Sequence, residues 1–147
     1  MVIRKFFKLR EIKTFMANKV SLIAFLEGNK ILLQERKDFS RFGEEWAFFG
    51  GQIENGETPE QALKREIREE LDFSLEDFKF FKKYVNKMKE GHITEKIVFI
   101  AKFPGFDKIK LKEGSGMKLF TFDEAKKLKL MPHDIEIIED LSNKIRT

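Results

Sequence analysis

Three glutamates and two arginines lie within residues 65–70 of the sequence. Because a helix turns about 100° per residue, Glu66, Glu69 and Glu70 would share one flank of a helix, with Arg65 beside Glu69. Glu66 and Glu70 are like charges four positions apart, which destabilises a helix slightly. Mg²⁺ binds a few carboxylates together with substrate phosphates and relieves such repulsion. The spacing alone leaves two interpretations open, a metal site and a solvated acidic face.

A helix over residues 59–71 is predicted to carry these carboxylates. Thr58 is a good N-cap, Pro59 suits the first helical position, and Gln61 completes a capping box. The apolar residues recur at helical spacing and would pack on a sheet: Leu63, Ile67 and Leu71. The acidic flank therefore borders a buried face.

Two glycines precede this helix and follow a short predicted strand over 46–49. Gly50 and Gly51 permit close backbone approach and leave carbonyl groups free to face a ligand. Gly56 and Glu57 lie between the double glycine and the helix. This loop favours the metal-site interpretation.

Residues 51–73 resemble the Nudix box, whose pattern is Gly, five residues, Glu, seven residues, Arg-Glu-apolar, one residue, Glu-Glu, one residue, Gly-apolar. The matching positions are Gly51, Glu57, Arg65, Glu66, Ile67, Glu69, Glu70 and Phe73. Asp72 replaces the last Gly of the pattern, and Phe49 stands where many members have Pro. Since Asp tolerates a left-handed backbone, the first difference concerns the helix end rather than the ligands.

The resemblance implies an α/β fold, a Nudix-like α/β/α sandwich with a mixed β-sheet flanked by helices. It also implies Mg²⁺-dependent hydrolysis, with Mn²⁺ as a substitute, of a nucleoside diphosphate linked to another group X. The implied metal ligands are Gly50, through its carbonyl, Glu66, Glu69 and Glu70. Arg65 and Glu57 would orient this set, and Gly51 would belong to the substrate-binding residues.

A general base is implied by the MutT branch of the family, in which a loop Glu before a late strand takes this role. Lys112-Glu113-Gly114 has that local sequence, and residues 92–94 resemble the same branch. Glu113 is therefore the predicted base, with Glu69 and Glu70 as rivals. Arg36 resembles a phosphate-contacting Arg of the family, although a solvent-exposed Arg at a strand end is an equal alternative.

The expected reaction is cleavage of a nucleoside triphosphate, canonical or oxidised, to the monophosphate and pyrophosphate. ADP-ribose and nucleotide sugars remain alternative substrates, and a non-catalytic nucleotide sensor is a further alternative. A basic nucleic-acid-binding domain is disfavoured, because the sequence has no zinc signature, aromatic RNP stripe or convincing helix-turn-helix.

The composition indicates one domain over residues 1–147. No apolar run approaches the roughly 20 residues that span a bilayer, and the start has no recognisable secretory signal. The absence of cysteine excludes disulfides and indicates the cytoplasm. The net charge of +4 comes from scattered lysines. We expect a small nucleotide as partner, no nucleic acid or membrane, and a monomer or homodimer.

The remaining elements follow from periodicity and turn signals. The predicted strands cover 19–26, 30–36, 46–49, 78–89, 93–103 and 117–122, with an early strand within 2–15. Asp123 is expected to cap a short helix ending near residue 128. A final helix after Pro132 is expected to run to residue 144 and to bury Ile135, Ile138 and Leu141.

Overall fold

The computed structural model describes residues 18–89 and 91–146, so the early strand expected within 2–15 lies outside the described residues. The strands are β1 (Asn18–Glu27), β2 (Lys30–Glu35), β3 (Trp46–Ala47), β4 (Phe49–Gln52), β5 (Lys79–Lys87), β6 (Ile93–Lys102) and β7 (Gly116–Thr121). The helices are α1 (Pro59–Leu71), α2 (Phe122–Ala125) and α3 (Asp134–Arg146).

These strands form one mixed sheet. Its main path runs β3-β2-β1-β6-β5, with β4 paired to β1 and β7 paired to β2. β1 and β6 are parallel, from Asn18 opposite Thr94 to Leu26 opposite Lys102. The other pairings are antiparallel.

Two apolar layers enclose the sheet. On one face, α1 buries Leu63, Ile67 and Leu71 against β1 and β6 residues such as Phe25 and Phe99. On the other face of the same strands, α3 buries Ile137, Ile138 and Leu141. Because side chains alternate across a strand, both faces of the central strands are apolar. This arrangement confirms the predicted α/β/α sandwich with a mixed sheet.

Strand β1 changes partner along its length. It pairs with β2 only beside the hairpin turn, at Leu26–Ile31 and Glu27–Lys30. At its other end it pairs with β4, from Val20 opposite Gln52 to Ile23 opposite Phe49. β2 pairs with β7 along its whole length, and its far end also pairs with β3, at Gln34 and Glu35. The double glycine and Gln34 lie where the two strands diverge.

Two predicted details near the C-terminal end were wrong. Asp123 does not cap α2. Thr121 does, because its hydroxyl accepts the Glu124 amide while the Glu124 carboxylate accepts the Thr121 amide, and the helix ends at Ala125. Ile135 is 39% exposed and Ile137 is buried in its place, because α3 turns its Asp134 side inward.

None of the helices in the described ranges is long and apolar enough to cross a membrane.

Candidate active site

Helix α1 has the bounds that the sequence predicts, because both ends are specified locally. The Thr58 hydroxyl accepts the Gln61 amide at 3.1 Å, and the Gln61 carboxamide oxygen accepts the Thr58 amide at 3.0 Å. Asp72 ends the helix in the left-handed conformation, with φ 49° and ψ 41°. Buried Ser21 of β1 donates to the Pro59 carbonyl at 2.7 Å and so fixes the first turn to the sheet.

The double glycine brings the backbone against the acidic helix. A Cβ at Gly51 would lie 2.4 Å from the Glu66 carboxyl carbon, and one at Gly50 would lie 2.0 Å from the Ser21 carbonyl oxygen. A side chain at Gly50 would therefore collide with backbone, and one at Gly51 would displace the Glu66 carboxylate. The Gly50 amide donates to Glu70 Oε1 at 3.1 Å. The role of the Gly50 carbonyl as a metal ligand stays a prediction.

Arg65 is the hub of the helix flank. It binds Glu57 with two hydrogen bonds of 2.8 and 2.9 Å, and Glu66 with one of 2.9 Å. Its guanidinium also donates to the Gln52 carbonyl at 3.0 Å and pairs with Glu69 at 3.6 Å. The hydrogen bonds from Arg65 lower the pKa of Glu57 to about 2. The loop before α1 is thereby tied to the helix.

The three box carboxylates differ in burial, although the sequence placed them on one flank. Glu70 is buried, Glu66 is half-buried, and the Glu69 side chain is 53% exposed. Burial, reinforced by the nearby Glu66, raises the pKa of Glu70 to about 8. Burial also raises the pKa of Glu66, against the opposing effect of Arg65. Among the described contacts, Glu66 and Glu69 therefore share Arg65, whereas Glu70 is bound by neutral donors alone.

Glu113 lies near the box carboxylates. Its charge contributes to the raised pKa values of Glu66 and Glu70, so the three carboxylates repel one another. The loop that carries it is attached to the end of α1 by two hydrogen bonds. The Lys110 amide donates to the Leu71 carbonyl at 2.8 Å, and the Lys112 amide to the Glu70 carbonyl at 2.7 Å.

The donor chemistry of this region fits a hard divalent cation. The available ligands are carboxylate oxygens, and their mutual repulsion disfavours burial without a counter-ion. As the side chains lie, no three carboxylate or imidazole groups within residues 18–89 and 91–146 are close enough to enclose a metal ion. Arg65 holds Glu57 and Glu66, while Glu70 is bound by the Gly50 amide.

A cavity of about 260 Å³ adjoins the double glycine, and Glu66 is not among its lining residues. Arg36 and Phe42 line it from the loop after β2, and Lys96 and Asp134 line it from β6 and α3. A larger hollow of about 470 Å³, lined by residues such as Leu26 and Phe78, shares no residue with the box. The smaller cavity is lined by Gly50, Gly51 and Gln52 and so adjoins the start of the box.

Arg36 is held by its own loop. It pairs through Nε with the buried carboxylate of Glu44 at 3.5 Å and donates to the Phe39 carbonyl at 3.3 Å. The other oxygen of Glu44 accepts from the Ser40 hydroxyl and from the Arg41 and Phe42 amides, each at 2.9 Å. Glu44 thus organises the loop between β2 and β3.

Sequence reasoning missed further polar residues at the site. Lys96 and Asp134 form a buried ion pair of 2.5 Å, and Gln34 is 5% exposed. Gln34 follows the apolar run 31–33 of β2, and Lys96 precedes the apolar run 97–101 of β6, so both lie inside predicted strands. A polar residue inside a predicted buried strand was the available signal, because it needs a partner that local patterns do not identify.

The sequence model of the NUDIX domain family matches residues 17–141. The 8-oxo-dGTP diphosphatase of Escherichia coli K12 is 38% identical over 68 residues, which are 46% of this chain and 53% of that protein. The nucleoside triphosphatase NudI of an Enterobacter species is 49% identical over 49 residues, 33% of this chain and 35% of that protein. The alignments therefore span about half or less of these relatives.

The fold comparison extends over more of the chain. The solution structure of the E. coli ORF135 protein superposes with a TM-score of 0.73 and 26% identity, covering 92% of this chain and 94% of that one. The family match and this superposition agree with the box geometry. The chain belongs to the Nudix family, whose members generally use divalent metals and act on small nucleotides.

Proposed function

We propose that the chain is a Mg²⁺-dependent nucleoside triphosphate pyrophosphohydrolase, with Mn²⁺ as a substitute, acting as a single Nudix domain in the cytoplasm. The reaction takes one water and one nucleoside triphosphate to a monophosphate and pyrophosphate. The observation that carries the proposal is the position of Glu113 on a loop attached to α1, within electrostatic reach of Glu66 and Glu70. The names of the E. coli and Enterobacter relatives support the triphosphate as substrate.

The proposed metal ligands are Glu66, Glu69, Glu70 and the Gly50 carbonyl. Bound divalent ions would neutralise charge on the phosphates and lower the pKa of a coordinated water. Arg65 would keep Glu57 and the box carboxylates in position, as its hydrogen bonds to Glu57 and Glu66 suggest.

Glu113 is proposed as the general base. It would accept the proton of the attacking water as the new phosphorus–oxygen bond forms and the phosphoanhydride bond breaks. Glu70 is buried and bound by the Gly50 amide, and Glu69 lies beside Arg65, so Glu113 is the box-adjacent carboxylate that the described hydrogen bonds leave available. Glu69 and Glu70 remain the alternative bases.

The cavity beside the double glycine is proposed to hold the nucleoside. Arg36 would contact the phosphates from its rim, with Gly51 lining the passage to the box. A monomer or homodimer without nucleic-acid or membrane partners is the proposed working form.

The test is a panel of nucleoside triphosphates, oxidised triphosphates, ADP-ribose and nucleotide sugars, with and without Mg²⁺. Nucleotide products are separated by chromatography. We expect triphosphates to give monophosphate and pyrophosphate only with the metal. Preference for ADP-ribose or a nucleotide sugar would move the substrate assignment, and no turnover on any member would favour a nucleotide sensor.

The metal assignment has its own test. Glu69→Gln and Glu70→Gln each remove a metal-binding charge while keeping size. Metal ions supply several kcal/mol of transition-state stabilisation, so turnover should fall about 10²-fold or more. Wild-type turnover in either variant at saturating Mg²⁺ would contradict that residue's assignment.

A further inference from the structure

Gln34 occupies a buried position that an apolar residue would ordinarily fill. It lies on β2 after Leu32 and Leu33, at the point where β2 has left β1, and opposite Met117 of β7. A buried carboxamide is costly unless its donors and acceptor are satisfied. Its hydrogen-bond partners therefore indicate what the residue does.

The Gln34 carboxamide nitrogen joins two parts of the site. It donates to the Phe48 carbonyl at 3.0 Å and to Glu70 Oε2 at 3.4 Å. Phe48 lies between β3 and β4, immediately before the strand with the double glycine. One amide group thus connects that strand to a box carboxylate.

The Glu70 carboxylate is consequently fixed at both oxygens. The Gly50 amide donates to Oε1 at 3.1 Å, and Gln34 donates to Oε2. Both donors are neutral, so they fix the orientation of the group without pairing it with a positive charge. An Arg in the place of Gln34 would compete with the cation, as Arg65 does at Glu66.

The other end of the carboxamide faces the loop that carries Glu113. A Cβ built on Gly114 would lie 3.5 Å from the Gln34 carboxamide oxygen. The loop tip therefore passes over Gln34 in contact distance. Gln34 thus binds Glu70 through its nitrogen, and its oxygen lies close to Gly114, the neighbour of Glu113.

We propose that Gln34 is a positioning residue that sets the orientation of the Glu70 carboxylate and thereby the divalent-cation affinity of the site. The proposal rests on the metal role of Glu70 in the proposed function. The proposal extends the proposed function because it assigns part of the divalent-cation affinity to Gln34, which lies outside the box. Its strand, β2, contributes none of the proposed metal ligands.

The test measures Mn²⁺ binding to the full chain without nucleotide, by electron paramagnetic resonance of free Mn²⁺. Gln34→Met keeps the length of the side chain and removes the donor. Residues that orient metal ligands typically contribute 10- to 100-fold in affinity, so the Mn²⁺ dissociation constant should rise by about that factor. Gln34→Asn, whose amide is one methylene short of Glu70, should weaken binding in the same direction and serves if the first variant folds poorly.

Ser21→Ala is the matched control. It also removes a buried hydrogen bond that holds α1, at 2.7 Å to the Pro59 carbonyl, but it does not touch Glu70. Mn²⁺ affinity should be unchanged in this variant. Equal losses in Gln34→Met and Ser21→Ala would show a general loosening of the helix and would overturn the proposal.

Kinetics provide a second readout. In Gln34→Met, the Mg²⁺ concentration for half-maximal rate should rise, while kcat at saturating Mg²⁺ falls much less. Wild-type Mn²⁺ affinity in both Gln34 variants would overturn the inference and leave the proposed function standing. Absence of Mn²⁺ binding by the wild type would overturn both. Mn²⁺ binding that depends on Gln34, without hydrolysis of any nucleotide, would overturn the proposed function alone.

Discussion

At the scale of single residues, the carboxylates of the site differ in whether a cationic side chain pairs with them. Arg65 satisfies Glu57 and contacts Glu66 and Glu69, whereas Glu70 and Glu113 have no cationic side chain among their described partners. A proton acceptor needs negative charge that no arginine or lysine neutralises, which agrees with the role proposed for Glu113. Two of the proposed metal ligands, Glu66 and Glu69, share Arg65, and the third, Glu70, does not.

Replacing Glu113 by Gln should lower turnover by about 10²–10⁴-fold, the usual contribution of a positioned proton acceptor. The Michaelis constant should change far less, because the box would still hold metal and phosphates. Single-turnover rates across a range of pH make the measurement, with Asp107→Asn on the exposed part of the same loop as control. A Glu113→Gln rate close to that of the wild type at every pH would move the base role to Glu69 or Glu70.

At the scale of elements, α1 is the support of the site and its ends are defined by side chains next to them. A capping box starts the helix, and Asp72 ends it with a backbone conformation that costs L-residues free energy. The family's glycine would adopt that conformation without strain. A substitution at Asp72 could therefore stabilise the protein without touching the site.

Asp72→Gly should raise the free energy of unfolding by about 0.5 kcal/mol, since the relieved strain exceeds the added entropy of the unfolded chain. Asp72→Ala should lower it by about 1 kcal/mol because Ala is strained in the left-handed region. Urea denaturation of both variants provides the comparison, and turnover should be unaffected. A less stable Asp72→Gly would mean that the Asp side chain makes a stabilising interaction at the helix end.

An element could be predicted from the sequence when the residues that specify it are close together in the chain. Helix α1 was predicted residue by residue because Thr58, Pro59 and the leucine spacing are local signals. The interruption at Phe48, which divides the predicted strand 46–49, depends on β1 and β2 separating, and no local pattern contains that information. The same holds for Gln34 with Glu70 and for Lys96 with Asp134, whose partners lie 36 and 38 positions away.

At the scale of the whole molecule, polar contacts connect the sheet to the helical layer opposite the box. The Lys96 ammonium group donates to Asp134 at 2.5 Å and to the Pro132 carbonyl at 2.8 Å, joining β6 to the start of α3. Farther along, the Tyr84 hydroxyl and Lys82 donate to Asp140 at 2.6 and 2.9 Å, joining β5 to the middle of α3. Helix α3 is therefore fixed at two points beyond its apolar face.

Breaking the buried pair should be strongly destabilising. Lys96→Met leaves Asp134 buried without its partner, so the free energy of unfolding should fall by about 3–5 kcal/mol. The double variant Lys96→Met/Asp134→Leu removes both charges and should regain most of this loss. Urea denaturation gives both values. A mild effect of the single variant would indicate that Asp134 reaches water once Lys96 is removed.

The Asp140 contact should make stability depend on pH. The hydrogen bonds from Tyr84 and Lys82 lower the pKa of Asp140 below its ordinary value of 3.8. The stabilisation is therefore present above that value and is lost as the pH falls through the lower folded-state pKa. The difference in unfolding free energy between wild type and Asp140→Asn should narrow from pH 7 to about pH 3. Tyr84→Phe removes one of the donors, so its difference in unfolding free energy from the wild type should also narrow as the pH falls. A difference that stays constant with pH would exclude this linkage.

The Lys110 and Lys112 amides, which bind the end of α1, also limit the motion of the loop that carries Glu113. Residues 104–116 contain three glycines and would be expected to swing as one lid, but Lys110 and Lys112 donate to the last carbonyls of the helix. The amide protons of Lys110 and Lys112 should therefore exchange with solvent deuterium only when the helix end opens, in one cooperative unit with it. The amide of Gly114, beyond these two attachments, should exchange much faster. Glu113 can then move only with the few residues beyond Lys112, while the part of the loop up to Lys112 stays attached to α1.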